Sequence, residues 1–301
     1  GFASPVAADL LREADLVVAA GASLNMWTTR HGALIGPDAK VVQIDCDVDA
    51  IGAHRPVDLG VVGDVAETAA ELTETLRARG HAQAGYRTPE VAARIAAGGW
   101  RHQPYDDAGT GERIDPRTLS IHLDRMLPPE RLLAIDSGHF MGWPAMYIDV
   151  PDPQGFVFTQ AFQSIGLGLA GAIGAALARP DRLTVAALGD GGALMAAGEL
   201  DTAGRLGLPL LVVVYNDAAY GAEVHHFGPH GEPLDTVTFP DSDFAALGRA
   251  AGGDGITVRR VEDLAAVERW IAERPPQLLV VDAKVDPTIV AEWLSEAFRA
   301  H

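Results

Sequence analysis

The chain has 301 residues, of which 48% are hydrophobic and 21% are charged, a composition typical of soluble globular domains. Its formal net charge of −18 argues against binding nucleic acid or anionic membranes, because both require clustered Lys and Arg. No apolar run approaches the roughly 18 residues of a membrane span. The single cysteine, Cys46, excludes an internal disulfide and favours a reducing, cytoplasmic location.

The first segment alternates strand and helix patterns. The apolar runs ADLVVAAGA (14–22) and KVVQIDCD (40–47) predict buried parallel strands, and VVGDV (61–65) predicts a third. SPVAADLLREA carries a Ser-Pro helix start, and a helix after the third strand ends at Gly80. Three strands make half of a usual doubly wound sheet. We therefore expect residues 1–79 to be a partial Rossmann-like domain, truncated at its N-terminal side.

Residues 80–114 are dense in Gly, Pro and polar residues around one short Ala-rich helix, which is typical of a linker. Strands and helices then alternate regularly over residues 115–301. The predicted strands are RLLAID, LTVAALGD, LPLLVVVYND and QLLVVDAKV, and the helices between them include SIGLGLAGAIGAALA and AAGELDTAGRLG. This order predicts an α/β fold class with doubly wound parallel sheets, whose ligands bind at the carboxyl ends of strands.

Two aspartates follow neighbouring strands of this second domain. Asp190 ends one strand and Asp217 the next, and right-handed crossover connectivity brings both to one edge of the sheet. Two carboxylates beside glycine N–H groups would suit a divalent cation and a diphosphate, and Mg²⁺ is favoured because no Cys or His pair accompanies them. The alternative is that Asp190 only caps a helix beginning near Gly191 and that Asp217 belongs to a turn.

The order of motifs goes further than this spacing. ALGDGGALM (187–195), Glu199, GLP and then YND followed by AAYG resemble the signature of thiamine diphosphate enzymes, a GDG followed by an Asn pair. QSIGLGLAGAIGAALARPDR resembles the Gly-rich helix that precedes the motif in the acetolactate synthase and pyruvate decarboxylase group. VVQIDCDVDAIGAHRPVDLGVVGDV resembles the C-terminal half of that group's central domain. The resemblance covers nearly the whole chain and implies a partial central domain (1–79) and a diphosphate-binding domain (115–301).

The resemblance also implies the cofactors thiamine diphosphate and Mg²⁺. Asp190 would be a metal ligand, Asp217 would occupy the second side-chain position, and the Ala219 carbonyl would complete the protein's share. Most relatives have Asn at the place of Asp217. The extra negative charge should tighten Mg²⁺ binding and repel the diphosphate.

Further cofactor contacts follow from the same resemblance. The N–H groups of Gly191 and Gly192 would cradle the phosphate, where a side chain would obstruct the anion. Gly189 and Tyr220 are assigned to the cofactor site with them.

Two positions before the Gly-rich helix face the cofactor by resemblance. Ile165 falls where relatives place the bulky residue that wedges the cofactor into its bent shape, and the Gln163 carbonyl would accept from the aminopyrimidine. Core packing in a helix is the alternative for Ile165, and both roles can hold together.

Four candidates have weaker assignments. His139 stands in the family's Gln-His pair near the diphosphate, with Phe140 as its non-donating neighbour, and a structural histidine is the alternative. Glu223 would face the reacting carbon as the catalytic carboxylate of 2-keto acid decarboxylases, or lie in solvent. His225 and His226 would line the substrate entrance, and the alternative is that they lie on the protein surface.

The favoured function is a decarboxylase or carboligase that acts on a 2-keto acid, of the acetolactate synthase type. A 2-hydroxyacyl-CoA lyase or oxalyl-CoA decarboxylase is a second enzyme hypothesis, suggested by GASLNMW. A non-catalytic cofactor-binding module is the third.

Completeness of the active site is a separate question. In the family, a glutamate of an N-terminal pyrimidine-binding domain activates the cofactor, and the sequence contains no trace of that domain. We expect either a longer polypeptide or a partner chain to supply it, and a homo-oligomer, a dimer or a tetramer. The sequence does not decide whether FAD binds and offers no support for it.

Overall fold

The computed structural model describes residues 4–83, 85–162 and 164–297. These residues fall into two compact units, one made of the residues up to Pro104 together with Glu296 and Ala297, and one spanning Tyr105–Ser295. Among the described residues, no helix combines the length and apolar character needed to cross a bilayer.

The first unit contains a three-stranded parallel sheet in the order β1-β2-β3. Its strands are β1 (Leu16–Ala20), β2 (Lys40–Asp45) and β3 (Leu59–Val62), and its helices are α1 (Pro5–Arg12), α2 (Met26–Thr29), α3 (Val65–Ala78) and α4 (Pro89–Ala97). The third strand ends three residues earlier than predicted. Asp64 explains this, because its carboxylate caps α3 by accepting the N–H groups of Ala66 (2.8 Å) and Glu67 (3.0 Å).

Burial in this unit is limited. Ala19, Leu24 and Val41 form its small apolar cluster, whereas Leu16 and Val62 are 52% and 59% exposed. The sheet thus leaves much of its apolar surface uncovered within the unit. The helix predicted between residues 80 and 114 is α4, whose start is set by the Thr88 cap and by Pro89.

The second unit contains a six-stranded sheet in the order β5-β4-β6-β7-β9-β8, and every adjacent pair is parallel. Its strands are β4 (Arg131–Ile135), β5 (Phe156–Phe158), β6 (Leu183–Gly189), β7 (Leu210–Asn216), β8 (Asp254–Val258) and β9 (Leu279–Lys284). Its helices are α5 (Pro116–Met126), α6 (Gly142–Tyr147), α7 (Gly168–Ala178), α8 (Asp190–Met195), α9 (Gly198–Arg205), α10 (Gly221–Phe227), α11 (Phe244–Ala250), α12 (Leu264–Glu273) and α13 (Glu292–Ala297). The predicted α/β class with parallel sheets is confirmed.

The core of this unit lies around the central strands. Every residue of β7 and β9 is buried, because their Val and Leu side chains pack against helices and their polar side chains hydrogen-bond one another. Helix α7 adds Leu169, Ala172 and Ile173 to the same cluster. A rigid sheet therefore holds the loops that follow β4, β6 and β7.

Candidate functional site

An aspartate follows each of three neighbouring strands. Strands β4, β6 and β7 lie side by side in the sheet, and Asp136, Asp190 and Asp217 come directly after them. Asp136 and Asp190 are buried, with 0% and 2% exposure. The parallel arrangement thus gathers three carboxylates at one edge of the sheet, where α/β folds bind ligands.

Asp190 links the turns after β6 and β7. Its Oδ1 accepts the N–H of Gly191 at 2.7 Å, and its Oδ2 accepts those of Ala218 at 2.6 Å and Ala219 at 3.2 Å. Helix α8 begins at Asp190 itself, with Gly189 as its N-cap. Asp190 is therefore more than a cap for a helix that starts at Gly191, because its carboxylate reaches the next loop of the site.

The Asp190 and Asp217 side chains lie close enough to influence each other's ionisation. Burial raises the pKa of Asp190, and the charge of Asp217 raises that pKa further. Burial also raises the pKa of Asp217, an effect that backbone hydrogen bonds and the positive charge of Arg113 partly offset. With both pKa values raised, the pair holds on to a proton at a higher pH than two isolated carboxylates would.

The turn after β7 has an unusual backbone conformation. Ala218 has φ of 60°, a left-handed geometry that costs an L-residue about 1 kcal/mol. It directs the successive N–H groups of Ala218 and Ala219 to one oxygen of Asp190. An antiparallel bridge between Ala219 and Thr238 fixes the turn from its other side.

A buried polar network supports this turn from below. The Nδ2 of Asn216 donates to Asp282 at 2.9 Å, and its Oδ1 accepts the N–H of Ala218 at 3.2 Å. The Lys284 ammonium lies 2.9 Å from Asp282 and also contacts Asp241. Asn216 and Asp282 are completely buried, so their hydrogen bonds hold the turn in a single geometry.

Tyr220 and Phe140 pack against the glycine turn, residues Gly189–Gly192 at the start of α8. A Cβ atom on Gly191 would lie 2.2 Å from the Tyr220 ring, and one on Gly189 would lie 3.0 Å from the Phe140 ring. Close aromatic packing therefore accounts for glycine at both positions. The N–H of Gly191 already donates to Asp190, and the phosphate-cradling role of Gly191 and Gly192 stays a prediction.

Ile165 lies beside the same turn. A Cβ atom on Gly192 would lie 3.2 Å from Ile165 Cγ2 and 2.6 Å from Asp136 Oδ2. The residues preceding α7 form a turn, in which Gly166 has φ of 92°, so α7 begins at Gly168 rather than at the predicted residue 164. Gln163 lies outside the described residues.

His139 is buried and neutral. Burial, reinforced by the neighbouring His225, lowers the pKa of His139 to about 3, and the two ring centroids are 4.4 Å apart. Its Nε2 accepts the N–H of Ala291 at 2.8 Å. A neutral ring that accepts at Nε2 carries its proton on Nδ1, which leaves Nδ1 as the donor.

Glu223 and His226 lie on α10, just beyond the Asp217 turn. Glu223 is half-buried in the first turn of this helix. His226 stacks edge-on with Phe227 and His230, at centroid distances of 4.6 and 5.8 Å. The predicted catalytic role of Glu223 stays a prediction.

The sequence analysis missed three residues at this edge of the sheet. Asp136 was treated only as the end of a strand, and Lys284 and Asp282 as part of another. An aspartate at a strand end followed by Ser-Gly was the available signal for Asp136. A lysine and an aspartate inside the apolar run QLLVVDAKV were the signal for the network.

The donors present fit a divalent cation bound to a diphosphate. A cation beside Asp190 and Asp217 would remove the charge repulsion that raises the pKa of Asp190. Among the described residues, no group of three or more His, Cys, Asp or Glu side chains is arranged around a metal position. Backbone carbonyls and ligand oxygens would have to complete the coordination, as Mg²⁺ commonly requires.

Comparison with known proteins places the chain in a family. The family model "Thiamine pyrophosphate enzyme, C-terminal TPP binding domain" matches residues 136–281, and "Thiamine pyrophosphate enzyme, central domain" matches residues 1–72. Together the two matches cover most of the chain.

Two similar curated proteins match most of this chain. A Mycobacterium tuberculosis protein provisionally assigned as an acetolactate synthase large subunit is 32% identical, over 91% of this chain and 48% of its own length. A sulfoacetaldehyde acetyltransferase of Alcaligenes xylosoxydans is 28% identical, over 87% of this chain and 47% of its own length. The chain thus spans about half the length of these relatives.

A solved structure has the same fold. The thiamine diphosphate-dependent 4-hydroxybenzoylformate decarboxylase of Rhodococcus jostii RHA1 superposes with a TM-score of 0.69 at 19% identity, covering 93% of this chain and 50% of that one. With both family models matched in order along the sequence, the chain belongs to the thiamine pyrophosphate enzyme family.

Proposed function

We propose that the chain forms the diphosphate-binding part of a thiamine-diphosphate-dependent decarboxylase or carboligase that acts on a 2-keto acid. The observation that carries this proposal is the pair of buried Asp190 and half-buried Asp217 at adjacent strand ends, with Asp190 joined to the N–H groups of Ala218 and Ala219. Family membership supplies the reaction class, and the acetolactate synthase and acetyltransferase relatives support it.

In this proposal Asp190, Asp217 and the Ala219 carbonyl would hold Mg²⁺, which would supply positive charge for the diphosphate. When bound, thiamine diphosphate supplies a nucleophilic carbon and an electron sink for cleaving or forming a C–C bond beside a carbonyl. Asp217 adds a negative charge to this site, and Arg113 lies near enough to offset part of it. The Lys284 network keeps the turn in place while ligand charge enters the site.

His139 and Glu223 are the candidates for contacts beyond the metal. The neutral His139 ring would donate from Nδ1 to a phosphate oxygen, because its Nε2 is occupied by the Ala291 N–H. Glu223 would exchange a proton with the reacting substrate, and Glu223→Gln should then slow product release.

Assembly and location are part of the proposal. Because the chain spans about half the length of its relatives, we propose that another polypeptide segment or partner chain supplies the pyrimidine-binding domain. We also propose a cytoplasmic homo-oligomer. A denaturing mass spectrum of the native assembly tests the first of these proposals, since either a longer chain should replace the 31.7 kDa chain or a second polypeptide should accompany it.

Binding of Mg²⁺ and thiamine diphosphate to the native protein, measured by titration calorimetry, tests the site. Wild type should bind, Asp190→Ala should not, and the control Asp201→Asn should bind as wild type, because Asp201 pairs with Arg205 on an exposed helix surface. Absence of binding to wild type, or retained binding to Asp190→Ala, would contradict the proposal. Pyruvate consumption measured against CoA-ester cleavage then separates the two enzyme hypotheses.

A further inference from the structure

Asp136 is a completely buried carboxylate at the same edge of the sheet as Asp190 and Asp217. Its Oδ1 accepts the N–H of Ser137 at 2.8 Å, and its two oxygens accept the N–H of Gly166 at 3.1 and 2.9 Å. The N–H groups of Leu167 and Gly168 also lie near enough to lower its pKa. Burial raises its pKa and these hydrogen bonds lower it, so backbone donors solvate the group in place of water.

Two glycine-containing segments converge on this carboxylate. A Cβ atom on Gly168 would lie 2.5 Å from the Cβ of Asp136, and one on Gly192 would lie 2.6 Å from its Oδ2. The same atom on Gly192 would lie 3.2 Å from Ile165 Cγ2. Asp136 therefore stands between the turn Ile165–Gly168 and the turn that follows Asp190.

Helix α7 has core contacts of its own. Leu169, Ala172 and Ile173 anchor this helix in the core of the sheet. Asp136 instead accepts the N–H of Gly166, which precedes the helix and has a left-handed backbone. What the carboxylate adds is the geometry of this turn, and with it the place of Ile165 next to Gly192.

We propose that Asp136 is a positioning residue, whose carboxylate holds the turn Ile165–Gly168 so that Ile165 stands over the glycine turn and contacts the bound cofactor. This inference rests on the proposed function, because it assumes that thiamine diphosphate binds beside Gly192.

The test is a double-mutant cycle on the affinity for Mg²⁺-thiamine diphosphate, measured by titration calorimetry on the native protein. Asp136→Asn replaces one acceptor oxygen by an NH₂ group that faces backbone donors, so we expect about tenfold weaker binding. Ile165→Ala should weaken binding by a similar factor. Because Asp136 acts through Ile165, the double variant should bind about as weakly as the worse single variant, not about a hundredfold more weakly than wild type.

Two further variants separate positioning from folding. Asp124→Asn alters another buried carboxylate of the same unit, one paired with Arg131, and should lower the melting temperature without changing cofactor affinity. Asp136→Ser, run through the same cycle, replaces Asp136→Asn if that variant does not fold.

The outcomes are distinct. This inference is overturned if Asp136→Asn binds the cofactor as tightly as wild type, or if the losses in the double variant are additive. In either case the proposed function stays intact, provided that wild type binds the cofactor and Asp190→Ala does not. Failure of the wild-type protein to bind the cofactor overturns both.

Discussion

Asp190 and Asp217 make the metal-free protein sensitive to pH. Their folded-state pKa values are raised by burial, and that of Asp190 is raised further by the charge of Asp217. The unfolded state releases these protons near pH 4, the ordinary carboxyl range, whereas the folded state still retains one at higher pH. By linkage, the free energy of unfolding falls as pH rises from about 4.

We predict that Mg²⁺ cancels this loss. In EDTA, wild-type stability should fall between pH 5 and pH 8, and Asp190→Asn should show a shallower fall, because one of the two charges is gone. Excess Mg²⁺ should flatten the wild-type profile. Denaturant titrations at each pH measure this, with Asp201→Asn as a control that keeps the wild-type slope; identical slopes for wild type and Asp190→Asn would contradict the prediction.

His139 predicts the opposite dependence on acidity. Its pKa is lowered from 6.5 to about 3, so the unfolded state binds a proton below pH 6.5 that the folded state refuses. In excess Mg²⁺, which removes the opposing contribution of Asp190 and Asp217, the free energy of unfolding should fall by up to about 2 kcal/mol between pH 6.5 and pH 5. His139→Gln keeps an acceptor for the Ala291 N–H and should remove this fall, whereas His54→Gln, at an exposed position, should retain it.

At the level of single elements, α8 depends on the absence of side chains at its start. Gly191→Ala would place a Cβ atom 2.2 Å from the Tyr220 ring. We predict a loss of about 1–3 kcal/mol in unfolding free energy. Gly198→Ala at the start of α9 is the matched control, because nothing lies within 4 Å of its Cβ; its stability should be unchanged or slightly higher. Equal effects of the two substitutions on thermal unfolding would refute the prediction.

The elements that the sequence predicts well are the strands that read as long, mostly apolar runs. Strands β6, β7 and β9 are long Val- and Leu-rich runs, and their ends place Asp190 and Asp217 correctly at one sheet edge. Strands β5 and β8 are absent from the predicted set, because short segments at the edges of a sheet carry little periodic signal.

Long-range contacts explain the remaining differences. The predicted start of α7 at residue 164 is four residues early, because Asp136, which follows strand β4, accepts the N–H of Gly166 and holds a turn before Gly168. The Lys284–Asp282–Asn216 network depends on β9 pairing with β7. Strand order is a tertiary property, so adjacency between these side chains is not encoded in local spacing.

At the level of the whole molecule, the two units differ in how well their sheets are buried. Strands β7 and β9 are buried throughout, whereas β3 is largely exposed. We predict that amides of β6, β7 and β9 resist hydrogen exchange longer than those of β1, β2 and β3. Exchange followed by mass spectrometry measures this, and Mg²⁺ with thiamine diphosphate should slow exchange in the second unit. Equal protection of the two sheets would contradict the prediction.

The strand order β4-β6-β7 has a kinetic consequence. Crossover helices separate the three aspartates along the chain, so the complete site exists only after these parallel strands have paired and their helices have packed. A ligand that needs the whole site has nothing to bind in a half-formed sheet. Its stabilisation therefore appears as slower unfolding, with the refolding rate almost unchanged. We therefore expect the cofactor to lower the unfolding rate of the folded protein, and not to raise the rate at which the central sheet forms.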